Sequence, residues 1–449
     1  MLDYKNMVIL KFDRGSILIE GQARTPYGKW DPRVECFRSM ALNYLDIKNY
    51  LNNSHIPFRD LVPEQVPISK LASKVELRPY QKSALDAWLK ADKRGIVVLP
   101  TAAGKTFIAL KAIELLNVAT LVVVPTLDLV DQWRQLLKSQ FNVDVGAYGG
   151  GEEDLEALTV TTYDSAYLRA EQLGNKFMFL IFDEVHHLPA PSYSQIAEMY
   201  IAPYRMGLTA TLEREDSGHK ILPRLLGDVV YELEVDSLAG KHLSPYTHEK
   251  ILVDLTPEEK IVYEKEYDIF RNYLRQKKLS LRGPKDFRRF IMRTGNDPQA
   301  RKALLARNRA LKVVFNSDAK IEKLREYLDV YRKEKILIFT RYNQLVYKIS
   351  RQFLIPAITY RTPKEERKEI LKKFRNGEYI AVVTSQVLDE GVDVPDASLG
   401  FILSGSGSSR EYIQRLGRIL RKSKGKNAKL IEIVAKNTVE TNLSQRRHQ

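Results

Sequence analysis

The chain has 449 residues, enough for two or more domains that each bury a core. Hydrophobic residues make up 44% and charged residues 28%, and the single cysteine, Cys36, excludes a disulfide framework, a multi-cysteine zinc site and a four-cysteine iron–sulfur cluster. The net charge of +15 points to a polyanionic partner such as nucleic acid, although many basic proteins bind none.

In chain order, residues 1–73 read as a small α+β module. NMVILKF, the turn DRGS and ILIEG predict a β-hairpin, VECFRSMALNYLDIKNYL has apolar residues at helical spacing, and IPFRDLVPEQVPISK, with three prolines, reads as a linker. MLDYKNMVILKF is too interrupted by charge for a signal peptide, and no apolar run reaches membrane-spanning length. A cytoplasmic, nucleoid-associated location without a membrane partner is the expectation. Residues 74–240 alternate apolar strands (RGIVVLP, ATLVVVP, ALTVTTY, FMFLIFDE, RMGLTAT) with amphipathic helices, the pattern of a parallel sheet covered on both faces. Residues 241–449 form a second α/β unit with strands KILIFT, YIAVVTS and LGFILS. They are interrupted at 256–312 by a basic helical insert whose N-cap is Thr256, with Pro257 at the first helical position. The fold class is therefore α/β: two parallel-sheet domains, a basic helical insert and a small N-terminal α+β domain.

LPTAAGKT lies between the strand GIVV and the helix FIALKAIELL, the context of a phosphate-binding loop, although leucine occupies position 99 where the general pattern has its first glycine. Backbone N–H groups of Thr101, Ala102, Ala103 and Gly104 would face an anion, Lys105 would reach the β- and γ-phosphates, and Thr106 would ligate Mg²⁺. A magnesium-holding acid is then required at a later strand end. FMFLIFDEVHH supplies Asp183, with Glu184 placed to polarise the attacking water. The adjacent His186 and His187, without cysteines, make a poor zinc site; a coupling role for His186 and a structural one for His187 fit better.

Between Arg271 and Lys312 there are fourteen Lys/Arg against two acids, Asp286 and Asp297. Arg271, Arg275, Lys277, Lys278, Arg288 and Arg289 are the candidate phosphate contacts, while the interleaved Phe270, Tyr273, Phe287 and Phe290 fit a packed helix face better than base stacking. Further on, Arg410, Arg415, Arg418 and Arg421 recur along one segment, readable as a solvated basic helix, a nucleic-acid-binding one or a source of arginine fingers.

Asp183-Glu184-Val185-His186 spells a DEVH box, and residues 76–421 resemble superfamily 2 helicases and translocases. The resemblance implies RecA-like sheets, ATP with Mg²⁺, and a set of roles. LRPYQ is similar to the adenine-recognising motif, with Gln81 reading the base and Arg78 supporting it. VVVPTLDLVDQW and VTTYDSA are similar to nucleic-acid-contacting motifs, and LTAT, with Thr209 and Thr211, to the motif linking hydrolysis to movement. ILIFTRY opens the second domain's set; in VTSQVLDEGVDVP, Gly391 and Asp393 would face nucleotide and strand; QRLGRILR supplies Gln414, Arg418 and Arg421. Loops of this superfamily do not need the glycine missing at position 99, but they usually carry one at position 102, where this chain has alanine.

The triplet Arg214-Glu215-Asp216 directly after LTAT, the insert and the small N-terminal module together resemble the XPB family in its archaeal form. That implies a damage-recognition-like domain at 1–73, helicase domains at 74–240 and 241–449, and a thumb that grips DNA at 256–312. It implies a DNA-dependent ATPase that moves along or locally unwinds duplex, forked or single-stranded DNA, 3′ to 5′, in a repair process resembling nucleotide excision repair. A nuclease is the implied partner protein. An RNA helicase, or a DNA-binding scaffold whose weak ATPase positions such a nuclease, are the alternative readings.

Overall fold

β-Branched runs flanking the turn at Arg14–Gly15 make the first hairpin, and a five-stranded sheet grows from it: β1 (Val8–Asp13), β2 (Ser16–Glu20), β3 (Lys29–Asp31), β4 (Cys36–Met40) and β5 (Phe58–Leu61), in the order β3-β4-β2-β1-β5. The computed structural model describes residues 7–21, 24–212, 218–281, 283–385, 397–405, 408–420 and 426–447. Helix α1 (Tyr44–Asn53) lays Tyr44, Ile47 and Leu51 on Val8, Leu10, Ile17 and Ile19. Two expectations change here. The segment from Val34 starts as strand β4, because Cys36–Met40 completes the ladders of both β2 and β3, so the helix begins only at Tyr44. The proline-bearing stretch opens with β5, whose parallel pairing to β1 overrides its linker-like composition.

The chain divides into two compact units, the first Met1–Pro100 with Gly104–Glu234, the second Val235–Gln449 with the short stretch Thr101–Ala103. Within the first, the N-terminal sheet is seated on the α/β layer. Asn175 donates to the Val62 carbonyl at 3.0 Å and accepts, through its own carbonyl, from the Glu64 amide. At Gly174 a Cβ would lie 2.6 Å from the Phe12 ring, so only glycine lets the two layers approach this closely.

The α/β layer of this unit contains β6 (Arg94–Val98), β7 (Thr120–Val124), β8 (Gly146–Gly149), β9 (Glu152–Glu153), β10 (Leu158–Thr162), β11 (Phe179–Asp183), β12 (Tyr204–Thr209) and β13 (Val229–Glu232). Their order is β13-β6-β12-β11-β7-β10-β8-β9, parallel except for β8–β9. Four helices matter for the site: α2 (Pro79–Lys90), α3 (Lys105–Leu116), α4 (Leu127–Phe141) and α5 (Tyr163–Leu168). Central strands are buried along their whole length, as sheets covered on both faces require. Arg205, fully buried on β12, donates to the carbonyls of Ala197, Tyr200, Ala202 and Leu225, so the cation is caged by backbone oxygens.

The second unit has a six-stranded parallel sheet of β14 (Tyr246–Val253), β15 (Ile336–Phe339), β16 (Ala357–Ile358), β17 (Ala381–Thr384), β18 (Leu399–Ile402) and β19 (Ala428–Ala435), in the order β14-β19-β18-β15-β17-β16. Between β14 and α9 (Asp318–Val330) runs a helical excursion, α6 (Pro257–Gln276), α7 (Pro284–Arg293) and α8 (Pro298–Phe315). A capping box starts α6: Thr256 Oγ1 accepts from the Glu259 amide and Glu259 Oε2 from the Thr256 amide. Glu259 also accepts from Ser317 Oγ and the Asp318 amide, tying the two ends of the excursion together. Among the described residues, no helix is long and apolar enough to cross a membrane.

Beneath this sheet, Lys320 Nζ, fully buried, donates to Glu440 Oε2 at 2.5 Å and to the Leu403 carbonyl at 2.8 Å. Removing one member strands the other charge in the core. Lys320→Met is therefore expected to lower stability by about 3–5 kcal/mol, with most of the loss recovered in Lys320→Met/Glu440→Leu. Urea unfolding of the two variants checks this; a midpoint unchanged in the single variant would refute it.

Candidate nucleotide site and basic insert

The strands β6, β11 and β12 end level. Thr209 pairs with Val98 and Asp183 with Leu208, so the loop after β6, the acid pair after β11 and the LTAT segment after β12 emerge side by side at the carboxyl edge of the sheet. That edge is where open parallel sheets bind ligands.

Gly104 is the N-cap of α3, with φ +78°, and a Cβ there would stand 2.5 Å from the Gln81 amide nitrogen. Glycine at this position keeps the turn open and lets Gln81 donate to the Gly104 carbonyl at 3.2 Å. Gln81, nearly fully buried, also accepts from the Arg78 amide at 2.9 Å, closing a capping box at the start of α2. Lys105 Nζ donates to the Leu99 and Pro100 carbonyls at 2.9 and 3.4 Å, so its ammonium is folded into the mouth of the loop. Ala102 takes φ +67°, the left-handed region that favours glycine.

Asp183 is buried, and desolvation pushes its carboxyl up from the usual range. Three groups oppose that rise: Trp133 Nε1 donates to Oδ2 at 2.9 Å, the Lys105 charge acts on it, and the Glu184 amide donates to Oδ1 at 3.0 Å. Glu184 itself sits at φ +49°, a strained conformation of the kind that gathers at functional sites. His186, fully buried, places Nδ1 3.2 Å from Thr209 Oγ1 and 3.5 Å from Glu184 Oε2. Thr209 Oγ1 in turn donates to the Thr211 carbonyl and accepts from the Thr211 amide. A continuous chain thus runs from the acid pair through His186 to the segment after β12. The hard oxygens of Thr106 and Asp183 and the amide-lined turn at Gly104 form a donor set suited to a magnesium-bound phosphate chain.

Sequence reasoning missed two side chains here. Trp133 and Tyr163 lie in the two segments VVVPTLDLVDQW and VTTYDSA, yet their polar tips reach Asp183 and Glu184; the only available signal was an aromatic with a polar tip on an otherwise apolar stripe.

In the second unit, Gln414 and Arg415 of α10 (Ser409–Ile419) are buried and Arg418 is half-buried. Arg415 donates to the Ser404 carbonyl at 3.2 Å and lies over the Phe339 ring, anchoring the helix to the sheet. Gly391, Asp393, Arg421 and the triplet Arg214, Glu215 and Asp216 lie outside the described residues. In the insert, Phe270, Tyr273 and Phe290 are buried in one cluster with Phe287 packed beside them, ring centroids 5.9–6.1 Å apart from Phe290. Arg271, Arg275, Lys277, Lys278, Arg288 and Arg289 are all exposed, Arg271 pairing with Asp268 at 3.1 Å.

The chain resembles known proteins in all three parts. Residues 10–62 match the model of the Xeroderma pigmentosum group B helicase damage recognition domain, 74–214 that of the type III restriction enzyme res subunit, and 319–423 that of the helicase conserved C-terminal domain. A DNA 3′-5′ translocase XPB2 from Sulfurisphaera tokodaii is 48% identical over 443 residues, covering 99% of this chain and all of that one. A DNA 3′-5′ helicase XPB from Mycobacterium tuberculosis is 27% identical, over 86% of this chain and 65% of its own. The Hef helicase domain of Pyrococcus furiosus has the same fold at 20% identity, with a TM-score of 0.54 over 83% of this chain and 98% of that one.

The left-handed Ala102 gives a direct test. A non-glycine residue there costs about 1–2 kcal/mol, partly offset by the extra freedom glycine adds to the unfolded chain. Ala102→Gly is expected to raise stability by up to about 1 kcal/mol. Thermal unfolding reads the effect, and a lowered midpoint would show that the loop prefers alanine.

Proposed function

The chain belongs to the XPB family, and from that premise we propose that it is an ATP-dependent DNA motor, moving along or locally unwinding DNA 3′ to 5′ in repair. The observation that carries this reading is the convergence of Lys105 and the Asp183–Glu184 pair at the carboxyl edge of one parallel sheet, with Lys105 acting electrostatically on Asp183.

Within this reading, Gln81 and Arg78 take the adenine end of ATP. The turn Thr101–Thr106 holds the phosphates, with Lys105 on the β- and γ-phosphates. Thr106 and Asp183 would hold Mg²⁺, which when bound neutralises charge on the phosphates. Glu184 orients the attacking water, Gln414, Arg418 and Arg421 are assigned to the transition-state charge, and Gly391 and Asp393 to nucleotide and strand. His186, Thr209 and Thr211 relay the state of the acid pair. The N-terminal sheet at 1–73 is assigned to damaged DNA, and the helical insert at 256–312 to the DNA backbone, through Arg271, Arg275, Lys277, Lys278, Arg288 and Arg289. Arg214, Glu215 and Asp216 complete the strand contacts, together with the solvent-facing residues of the segments 122–133 and 160–166, in which Trp133 and Tyr163 themselves are buried. A nuclease partner and a cytoplasmic, nucleoid-associated location complete the picture. The left-handed Ala102 is the one observation favouring the scaffold alternative, because strain in the phosphate loop would slow turnover.

ATP hydrolysis measured without nucleic acid and with duplex DNA, forked DNA or RNA discriminates the readings. Wild type is expected to be stimulated by DNA, and Lys105→Ala to lose roughly a hundredfold or more of that rate, as losing a preorganised charge at the transferred group implies. Stimulation by RNA alone would favour an RNA helicase. Equal inactivity of wild type and variant on every substrate would leave the scaffold.

A further inference from the structure

Two aromatic side chains from different helices converge on the acid pair. Trp133 belongs to the buried stripe of α4, with Val130, Leu137 and Phe141, and its indole Nε1 donates to Asp183 Oδ2 at 2.9 Å. Tyr163, the first residue of α5 and equally buried, donates its hydroxyl to the Asp183 carbonyl at 3.0 Å and reaches the Glu184 carbonyl at 3.4 Å. A buried indole N–H and a buried phenol each need a partner, and here both are spent on one dipeptide.

The helices that carry them leave neighbouring strands. α4 follows β7, which pairs directly with β11, and α5 follows β10, which pairs with β7. Each starts with a threonine cap, Thr126 accepting from the Leu129 amide and Thr162 from the Ser165 amide. Trp133 lies in the second turn of α4, about 9 Å along the axis from Leu127. A helix transmits a small displacement of its first turn almost undiminished over that distance, because its backbone bonds are continuous. Asp183 and Glu184 therefore feel the position of both helices through short side-chain bonds, by a route separate from the one through His186 and Thr209.

We propose that Trp133 and Tyr163 are positioning residues through which displacement of α4 and α5 by a bound DNA strand sets the placement of Asp183 and Glu184. This rests on the reading of the chain as a DNA-stimulated ATPase and adds to it a specific mechanical link. Neither side chain touches the reacting phosphate in this scheme; each acts through the acid it holds.

The test uses the full chain with Trp133→Phe and Tyr163→Phe, each of which keeps an aromatic ring and removes the hydrogen-bond donor, the first also shortening the indole to a single ring. ATP hydrolysis is measured with and without saturating duplex DNA, and DNA affinity by fluorescence anisotropy of a labelled duplex. The ratio of stimulated to unstimulated rate is expected to fall roughly tenfold in each variant, the factor that corresponds to about one hydrogen bond. DNA affinity is expected to stay within about twofold, since both side chains are buried. A second measurement does not depend on those variants folding well. The chain has three tryptophans, so in a Trp30→Phe background only Trp88 and Trp133 emit, and Trp88 is bonded elsewhere, to the Arg205 carbonyl. Indole emission in that background is expected to change on adding duplex DNA. A retained stimulation ratio, equal losses in both rates, or emission indifferent to DNA would each overturn the link while leaving the motor standing. Wild type unstimulated by any DNA would overturn both.

Discussion

A carboxyl buried at the end of an apolar strand is the constraint on which the first unit turns. Asp183 ends a strand buried along its whole length, where desolvation favours the neutral acid. An indole N–H, a backbone amide and the neighbouring lysine charge counter it. The amide is that of the next residue, but the indole and the lysine come from distant stretches of chain, and they meet Asp183 only because β6, β7, β11 and β12 run parallel with their ends aligned. The parallel topology is thus the condition for the site, since it delivers loops from distant parts of the sequence to one edge.

The cores and the helical insert handle charge in different ways. In the interior, cations are caged: Arg205 by four carbonyls, Lys320 by Glu440 and a carbonyl, Arg415 by a carbonyl and an aromatic face. On the helical insert Arg271, Arg275, Lys277, Lys278, Arg288 and Arg289 are exposed around an aromatic core made by the same helices, while Arg307 packs over the Phe270 and Phe287 rings. The interleaving of basic and aromatic residues in that segment therefore resolves into two faces, one that packs and one that is exposed to solvent.

Much of this was legible in the residues. The phosphate loop, the acid pair and the strand–helix alternation are local patterns, each complete within a dozen residues, and Thr256, Pro257 and Glu259 announce the start of α6 in the same way. What was not legible depends on partners far along the chain. Cys36–Met40 becomes a strand because two other strands flank it, and Phe58–Leu61 joins β1 despite the prolines on either side, Pro57 and Pro63. The bond from Trp133 to Asp183 spans fifty positions, and nothing in either segment names the other. Ala102 was legible as a departure from its family's glycine, and the positive φ identifies it as the residue that bears the loop's backbone strain.

Glu259 has a consequence beyond capping a helix. Its carboxylate receives the Thr256 amide at the start of the insert and Ser317 Oγ and the Asp318 amide just past its end, so the excursion leaves and re-enters the second unit at one point. To the host sheet, the connection from β14 to α9 behaves as a short loop with pinned ends, on a base where Tyr263, Val314 and Phe315 pack with Ala435. Such an arrangement lets the outer part of the insert lengthen, shorten or change its surface through evolution without disturbing the register of the sheet beneath.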